Sequence, residues 1–452
     1  MKFHSVLASL LALVGLTSSA RADPSWHDLA ITAPRYGRYL YRTTSQEPFF
    51  WKADTAWELM HRLNKTSIDF YLKTRAEQGY NVVLSVVVSA YNETTRENFY
   101  GDLPFNNSDP TQPNEAFFEL VDWTVDRAAS YGILIALVPA WNNWVSGAWH
   151  GTKEPLFNDS TAYAWGNYLG QRYPGIPKLL GGDTNCLWVR NTAAAMISYA
   201  ASPTVDPATL LGLVEYTTHL WEEDRVSIDA VQSGHAVPEV LGGFTPYATW
   251  DSTKNYEQIA AMRDGFTGPV LDLENHYEGA HYDLKETNAM IWNVRTGLYN
   301  GVYGGAAGYT YGANSVWQMY EPASDLLRES DYYSPSSGEN ASSSWRKDCF
   351  FEAGQQAQYA TKPLENTTID QLELREPAHH LLSSPTGYTD VAVNAFDSTR
   401  YISVLASETR DRYYVYTGHG DSFSLKLGNG VERSGRARWF SPRRRVPQYF
   451  DC

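Results

Sequence analysis

The sequence is poor in cysteine, in basic residues and in long apolar segments, and each shortage excludes a class of protein. Three cysteines in 452 residues, Cys186, Cys349 and Cys452, allow at most one intramolecular disulfide, so the chain is not a disulfide scaffold. Lysine and arginine number 36 against 51 aspartates and glutamates, which gives a formal net charge of −15. Nucleic acids and anionic membranes require a basic surface, so neither is predicted as a partner.

Several sequence motifs are also missing. The chain contains no CxxC and no HExxH, so no metal site is indicated, and no cofactor is predicted. It contains no G-x-S-x-G, which leaves a serine esterase or protease without support. No glycine fingerprint follows the first predicted strand, which argues against a dinucleotide-binding fold.

One apolar segment stands at the N-terminus and has the pattern of a secretory signal. Lys2 and His4 precede the run "SVLASLLALVGL", and small residues lead to an A-x-A site at Ala22. The run is too short to span a bilayer. We therefore expect residues 1–22 to be removed and the mature protein to be secreted and extracellular. Six N-x-S/T sequons predict glycosylation, at Asn64, Asn92, Asn106, Asn158, Asn340 and Asn366.

Strand-like and helix-like stretches alternate from about residue 45 to 315. Runs such as "NVVLSVVV" and "ILIALVPAW" are continuously apolar, which is typical of parallel strands covered on both faces. About eight such units predict an α/β fold of the (β/α)8 TIM-barrel type. From about residue 370 the pattern becomes short alternating strands with Gly/Asn turns, which predicts a small all-β domain. The expected domains are 23–345, the barrel, and 346–452, a linker helix with a small β-sandwich-like domain.

The predicted strands end on polar or aromatic residues, and in such barrels the C-terminal strand ends form the active face. These residues are Asp54, Trp141, Asp183, His235, Glu274 and Asn314. Two carboxylates on different strands suit glycoside hydrolysis, in which one protonates the leaving oxygen and the other attacks the anomeric carbon or activates water. Asp183 and Glu274 are predicted as that pair, with helix capping or loop anchoring as the alternative. Asp272, two residues earlier on the same strand face, and Glu278, in the following loop, compete with Glu274.

Further candidates lie near the same strand ends, each with a structural alternative. Asp54 either binds a sugar hydroxyl or caps a helix, and His235 either binds substrate or is a structural histidine. Trp141 and Trp144 suit either stacking on a sugar or a place in the core. The dense aromatic segment "GYTYGANSVWQMY" is predicted to line a subsite. The predicted substrate-binding residues are Asp54, Trp57, Trp141, Trp144, His235, Tyr309, Tyr311, Asn314 and Trp317.

Ordered motifs over about residues 35–320 resemble apiosidase-like glycoside hydrolases. They are "FFWKADTAWELMHRL", "GYNVVLSVV", "YGDLPF", "DPTQPNEAFFELVDWTVDRA", "LGGDTN", "QSGH", "PVLDLENHYEG" and "GYTYGANSVWQMY". The resemblance implies a retaining hydrolase of plant cell-wall pectin, such as one removing apiose or another pentose from rhamnogalacturonan II. It implies Asp183 as acid/base and Glu274 as nucleophile. The C-terminal part resembles a β-sandwich that is often appended to this family and is named for collagen binding.

Two departures from the family pattern keep other functions open. The segment 186–230 is shorter than usual, which predicts an incomplete fifth βα unit, and the C-terminal domain is expected to be short. A barrel damaged in this way would be a catalytically impaired carbohydrate-binding protein. A matrix- or collagen-binding protein acting through the C-terminal domain is the remaining alternative, and it predicts binding without residues 23–345.

Overall fold

The computed structural model of the protein describes most of the barrel and part of the C-terminal region. The described residues are 25–89, 97–141, 144, 155–181, 211–214, 227–233, 255–280, 291–323, 343–384, 401–418, 420–428 and 437–443. The strands β1 to β17 in these ranges are Ile31–Thr32, Leu40–Arg42, Pro48–Phe49, Trp51–Thr55, Val82–Val86, Leu134–Val138, Lys178–Gly181, Leu211–Val214, Ile228–Gln232, Val270–Glu274, Tyr277–Glu278, Gly308–Ala313, Arg375–Pro377, Leu382–Ser384, Ile402–Ser407, Tyr413–Thr417 and Ser424–Leu425.

The α-helices in the described ranges are labelled α1 to α10. They are Leu59–Arg62, Lys65–Glu77, Glu115–Ser130, Asp159–Arg172, Asn255–Gly265, Ile291–Tyr303, Asn314–Trp317, Trp345–Asp348, Glu352–Gln356 and Ile369–Glu373. Among them, none combines the length and the hydropathy that a bilayer-spanning segment requires.

Eight strands of the central sheet run parallel, in the order β10-β9-β8-β7-β6-β5-β4-β12. The sheet closes on itself where the backbone amide of Ala307, just before β12, donates to the carbonyl of Val270 in β10 at 2.9 Å. Every residue of β5 and β6 is buried, because parallel strands in such a barrel carry side chains inside and helices outside. The predicted (β/α)8 TIM barrel is confirmed.

The fifth barrel strand is present. Leu211–Val214 pairs in parallel with β7 on one side and with β9 on the other. The expectation that the short segment 186–230 leaves this unit incomplete is therefore wrong for the strand, because four residues are enough to bridge its two neighbours.

Local sequence explains where the first long helices begin and end. Asn64 caps α2, since its Oδ1 accepts the backbone N–H of Ser67 at 2.9 Å. The helix therefore begins at Lys65. Helices α2 and α3 are followed by Gly79 and Gly132, whose φ angles of 86° and 77° suit glycine.

The C-terminal strands pack on the helix layer of the barrel. Strands β13, β15 and β16 form an antiparallel sheet. The ring of Tyr416 stacks on Tyr299 of α6 with centroids 4.2 Å apart, and Tyr401 stacks on Tyr256 of α5 at 3.6 Å. These ring pairs bury one face of the small sheet against the barrel.

Helices α8 and α9 also belong to the barrel wall. Trp345 is fully buried, and the carboxylate of Asp348 accepts the hydroxyl of Ser315 at 2.5 Å. The guanidinium of Arg75 in α2 donates to the backbone carbonyl of Cys349 at 2.8 Å. The expected domain boundary at 345 and 346 therefore falls inside a segment that contacts the barrel, and the boundary stays a prediction.

Candidate active site

Glu274 occupies the C-terminal end of the seventh barrel strand, where active sites of this fold lie. Its side chain is 7% exposed, and its Oε1 accepts the side-chain amide of Gln232 at 3.1 Å. Gln232 ends the neighbouring strand β9 and is the Cα partner of Glu274. Two adjacent strand ends thus bring a carboxylate and an amide donor together.

Aromatic side chains surround the same end of the barrel. The indole N–H of Trp57, just beyond β4, donates to the hydroxyl of Tyr277 at 3.1 Å. The rings of Trp57 and Trp141 meet edge to face at 5.3 Å, and those of Tyr277 and Trp317 lie 6.5 Å apart. These residues follow four different strands, so the fold gathers rings whose apolar faces suit sugars.

Trp144, Trp317 and Asn314 are held in place by hydrogen bonds. The indole of Trp144 donates to the backbone carbonyl of Ser89 at 2.5 Å. The indole of Trp317 donates to Oδ1 of Asn314 at 3.2 Å, and the Gln318 amide donates to the same oxygen at 3.1 Å. The buried Asn314 carboxamide therefore orients the short helix α7 at the end of the last barrel strand.

Asp54 is placed away from this cluster. Its Oδ2 accepts Nε of Arg75 and the hydroxyl of Tyr71, each at 2.5 Å, and both partners lie on α2. Asp54 and Arg75 are fully buried. The carboxylate thus faces the helix layer, where it forms an ion pair with Arg75 instead of binding a sugar hydroxyl. This differs from the expected substrate contact, because side chains alternate along β4 and position 54 falls on the outer face.

Tyr309 and Tyr311 also lie in the helix layer. The hydroxyl of Tyr311 donates to Glu278 at 2.7 Å, and both rings pack against Tyr80, which follows α2. Both tyrosines are nearly inaccessible to solvent, at 2% and 1% exposed. The expected subsite role does not fit this placement, because alternation along β12 directs both rings outward.

The two competitors of Glu274 have structural partners. Asp272 accepts the hydroxyl of Ser233 at 2.6 Å and the amides of Asn255 and Asn275 at 2.9 and 3.1 Å. Burial raises the pKa of the Asp272 carboxyl above its ordinary value.

Glu278 closes the start of α9. Its carboxylate accepts the backbone amides of Ala353 and Gly354 at 3.1 and 3.2 Å. Burial raises the pKa of Glu278, and the hydrogen bonds oppose that effect. Both acids are therefore committed to the scaffold.

A register shift separates Asp272 from Glu274. Residues 270–272 of β10 pair in order with residues 229–231 of β9. The next residue of β9, Gln232, then pairs with Glu274, so the pairing skips Leu273. Such an irregularity changes which way the following side chains point. The expectation that Asp272 and Glu274 share one strand face is therefore wrong, since Asp272 contacts Asn255 of α5 and Glu274 contacts Gln232.

Three residues of this end were not singled out from the sequence. Gln232 stood within the motif "QSGH" and Tyr277 within "LENHYEG", so motif membership was the available signal. Glu58, next to Trp57, is 1% exposed, and its carboxylate accepts the hydroxyl of Ser89, three residues beyond the end of β5. No periodicity distinguishes Glu58 from a surface helix residue.

Some predicted positions lie outside the described residues. They are Asp183, His235, Asn92, Asn340, Cys186 and Cys452. Strand β7 ends at Gly181, two residues before Asp183. Cys349 is a buried free thiol, and burial raises its pKa to about 12. Within the described ranges, no group of three or more His, Cys, Asp or Glu side chains is arranged to hold a metal ion.

The fold places this site at the strand ends where active sites of such barrels lie, and the family comparison identifies the class of protein. Residues 35–371 match the family described as apiosidase-like, catalytic domain, and the chain belongs to that family. The match extends past the expected boundary at residue 345.

Solved structures agree with the fold. A protein named only as a glycoside hydrolase is 22% identical, with a TM-score of 0.76 over 95% of this chain and 92% of its own. A family 5 glycoside hydrolase from Bacteroides vulgatus ATCC 8482 is also 22% identical, with a TM-score of 0.77 over 95% and 89%. No curated protein is similar enough to this chain to count as a match.

Proposed function

We propose that the protein is a secreted, retaining glycoside hydrolase that removes apiose, or another pentose, from pectic polysaccharide such as rhamnogalacturonan II. The observation that carries the proposal is the buried Glu274 carboxylate at the active end of the seventh barrel strand, beside a group of aromatic rings. Membership of the apiosidase-like family supports the choice of sugar.

The proposed reaction has two displacements at the anomeric carbon. A carboxylate oxygen of Glu274 attacks that carbon while Asp183 gives its proton to the departing glycosidic oxygen. The glycosyl–enzyme ester then reacts with water, whose proton returns to Asp183 and whose oxygen replaces Glu274. Atoms and charges balance over the cycle, and the sugar leaves with its original anomeric configuration.

The aromatic group would hold the sugar during both steps. The ring of Trp141 is partly exposed, those of Trp57, Trp144 and Trp317 are buried beside it in the same apolar cluster, and hydrogen bonds on three of the indole nitrogens restrict how these rings turn. Fixed rings orient a bound sugar at a smaller entropic cost than mobile ones. His235 is proposed to contact the same substrate.

The first test compares sugar release from rhamnogalacturonan II by the parent protein, Glu274→Ala and Glu119→Ala. Glu119 is an exposed residue of α3, remote in sequence from the strand ends, and serves as the matched control. We expect the parent and Glu119→Ala to release apiose at equal rates and Glu274→Ala to lose on the order of 10³-fold or more in kcat. Equal release by all three variants would contradict the proposed role of Glu274.

The second test is the stereochemistry of the first-formed product, followed by NMR before mutarotation. Retention is expected, and it requires the carboxyl groups of Asp183 and Glu274 to lie about 5–5.5 Å apart. A product of inverted configuration would mean that Glu274 acts as a general base that activates water, and not as a nucleophile.

A binding protein without hydrolytic activity is the alternative, and it would bind pectic fragments without releasing sugar. The parallel pairing of the fifth strand weakens the reason for expecting a disabled barrel. Collagen binding by residues 346–452 alone requires that segment to fold apart from the barrel, whereas Tyr401 and Tyr416 stack on barrel helices.

Secretion and glycosylation belong to the same proposal. Among the described sequons, Asn106, Asn158 and Asn366 are exposed and Asn64 is half-buried. Asn64 and Asn158 use Oδ1 for helix capping, which leaves the amide nitrogen, the atom that carries a glycan, free of that task. Treatment of the secreted protein with an amidase that removes N-glycans should lower its apparent mass.

A further inference from the structure

The contact between Gln232 and Glu274 depends on how β9 and β10 end. Along a regular strand, Glu274 would point to the same side as Asp272, which faces α5. The skipped residue Leu273 instead aligns Glu274 with Gln232. The Gln232 amide then donates to Oε1 of Glu274 at 3.1 Å, and both side chains are at least half-buried.

A hydrogen-bonded clamp holds the two strand ends in this alignment. Ser233 and Asn275 directly follow Gln232 and Glu274, and the amide of Asn275 donates to the hydroxyl of Ser233 at 2.7 Å. The Ser233 hydroxyl donates to Oδ2 of Asp272 at 2.6 Å. Asp272 therefore joins Ser233, which follows β9, to Asn275, which follows β10.

The helix layer is shaped to admit this clamp. A Cβ on Gly297 of α6 would lie 2.2 Å from Oδ1 of Asn275, closer than side-chain atoms approach. The amide of Asn255 in α5 donates both to Oδ2 of Asp272 and to the carbonyl of Gly297, each at 2.9 Å. Glycine at position 297 thus allows Asn275 to reach the two strand ends.

We propose that Gln232 is the positioning residue of the nucleophile and that the Asp272 clamp keeps it in place. The proposal rests on the proposed function of Glu274. A neutral amide suits this task, because it donates to the ionised carboxylate without neutralising it and without a proton to exchange at working pH. Glu274 is thereby oriented for attack on the sugar.

Two substitutions at one position separate donation from packing. Gln232→Met fills a similar volume but donates no hydrogen bond, so we expect kcat to fall on the order of 10- to 100-fold with a smaller change in KM. Gln232→Glu donates a hydrogen bond only while the new carboxyl is protonated. At acidic pH the two neighbouring carboxyls share one proton, and this allows the donation.

The pH profile carries the decisive result. The kcat of Gln232→Glu relative to Gln232→Met should be highest near about pH 5 and should fall about ten-fold or more by about pH 8, as the shared proton is lost and the two charges repel. A ratio that does not change with pH, or a Gln232→Met variant with parental kcat, would overturn the proposal.

Two controls complete the experiment. Gln78→Met removes a buried amide that donates to the carbonyl of Cys349, away from the strand ends. It should lower the midpoint of urea unfolding and leave kcat unchanged. Glu274→Ala distinguishes the two levels of failure: if it stays active, the proposed function fails, and if it is inactive while Gln232→Met is normal, only the positioning role fails.

Discussion

Asp54 and Glu274 are both acids near the end of a parallel strand, but the barrel uses them differently. Asp54 is fully buried against helix α2 and is paired with Arg75. Glu274 is the last residue of its strand and contacts the neutral amide of Gln232, not a residue of the helix layer. The comparison teaches that a strand-terminal acid is a catalytic candidate only if the strand turns it away from the helix layer.

Substitutions of the buried acid should give the largest effect on folding. Asp54→Ala leaves the guanidinium of Arg75 buried without its charge partner, and we expect it to lower the free energy of unfolding by about 3–5 kcal/mol. Asp69→Ala is the matched control, because its carboxylate also meets an arginine Nε at 2.5 Å but about a third of each side chain is exposed. That change should cost about 0–1 kcal/mol.

Urea unfolding of both variants checks this difference. Equal losses in the free energy of unfolding would mean that burial does not make the Asp54–Arg75 ion pair more important for stability than the Asp69–Arg127 pair. A stable Asp54→Ala variant with a raised KM would instead restore Asp54 as a substrate ligand.

Removing the hydroxyl of Tyr311 and removing that of Tyr309 should change the free energy of unfolding differently, because only the Tyr311 hydroxyl has a hydrogen-bond partner among the described residues. Tyr311→Phe removes a donor to the buried Glu278 carboxylate and should cost about 1–3 kcal/mol in the free energy of unfolding. Among the described residues, the buried Tyr309 hydroxyl has no hydrogen-bond partner, so Tyr309→Phe should be neutral or slightly stabilising. Thermal unfolding measures both, and an increase in KM for either would place that ring in a subsite.

The pH dependence of stability should have opposite signs at Asp272 and Asp69. Burial raises the pKa of Asp272, so the parent should lose stability relative to Asp272→Asn as pH rises from about 3.8 through the folded-state pKa. The hydrogen bond from Arg127 lowers the pKa of Asp69. The parent should therefore lose stability relative to Asp69→Asn as pH falls below about 3.8.

Urea unfolding between about pH 3 and 7 measures these differences, which should be the smallest of the set. Slopes of the same sign at the two positions would contradict the contrast between the buried and the half-exposed carboxylate.

Composition and pattern predicted the fold well because continuous apolar strands and amphipathic helices are local signals. The barrel and the strand-end position of Glu274 follow from that reading. The side of the sheet on which Asp54, Tyr309 and Tyr311 lie does not follow from it. Side chains alternate between the two sides of a strand, so a shift of one residue reverses the side, and nothing in the sequence marks that register. The shift at Leu273 is likewise set by pairing with β9.

Two other differences have the same kind of cause. The fifth strand, Leu211–Val214, is too short for its pattern to be noticed, and its neighbours define it. A linker helix was expected to begin the C-terminal domain, but contacts from Ser315 and Glu278 fix helices α8 and α9 on the barrel. Long-range hydrogen bonds of this type leave no periodic trace in the sequence.

The central claim is that Glu274 forms the covalent intermediate, and trapping that intermediate tests it most directly. The full-length secreted protein would be treated with a 2-deoxy-2-fluoro pentosyl fluoride, which slows the second displacement, and its peptides would be examined by mass spectrometry. We expect one added glycosyl group on the peptide that contains Glu274 and none in Glu274→Ala. A glycosyl group on Asp272, Glu278 or Glu58 instead would contradict the account.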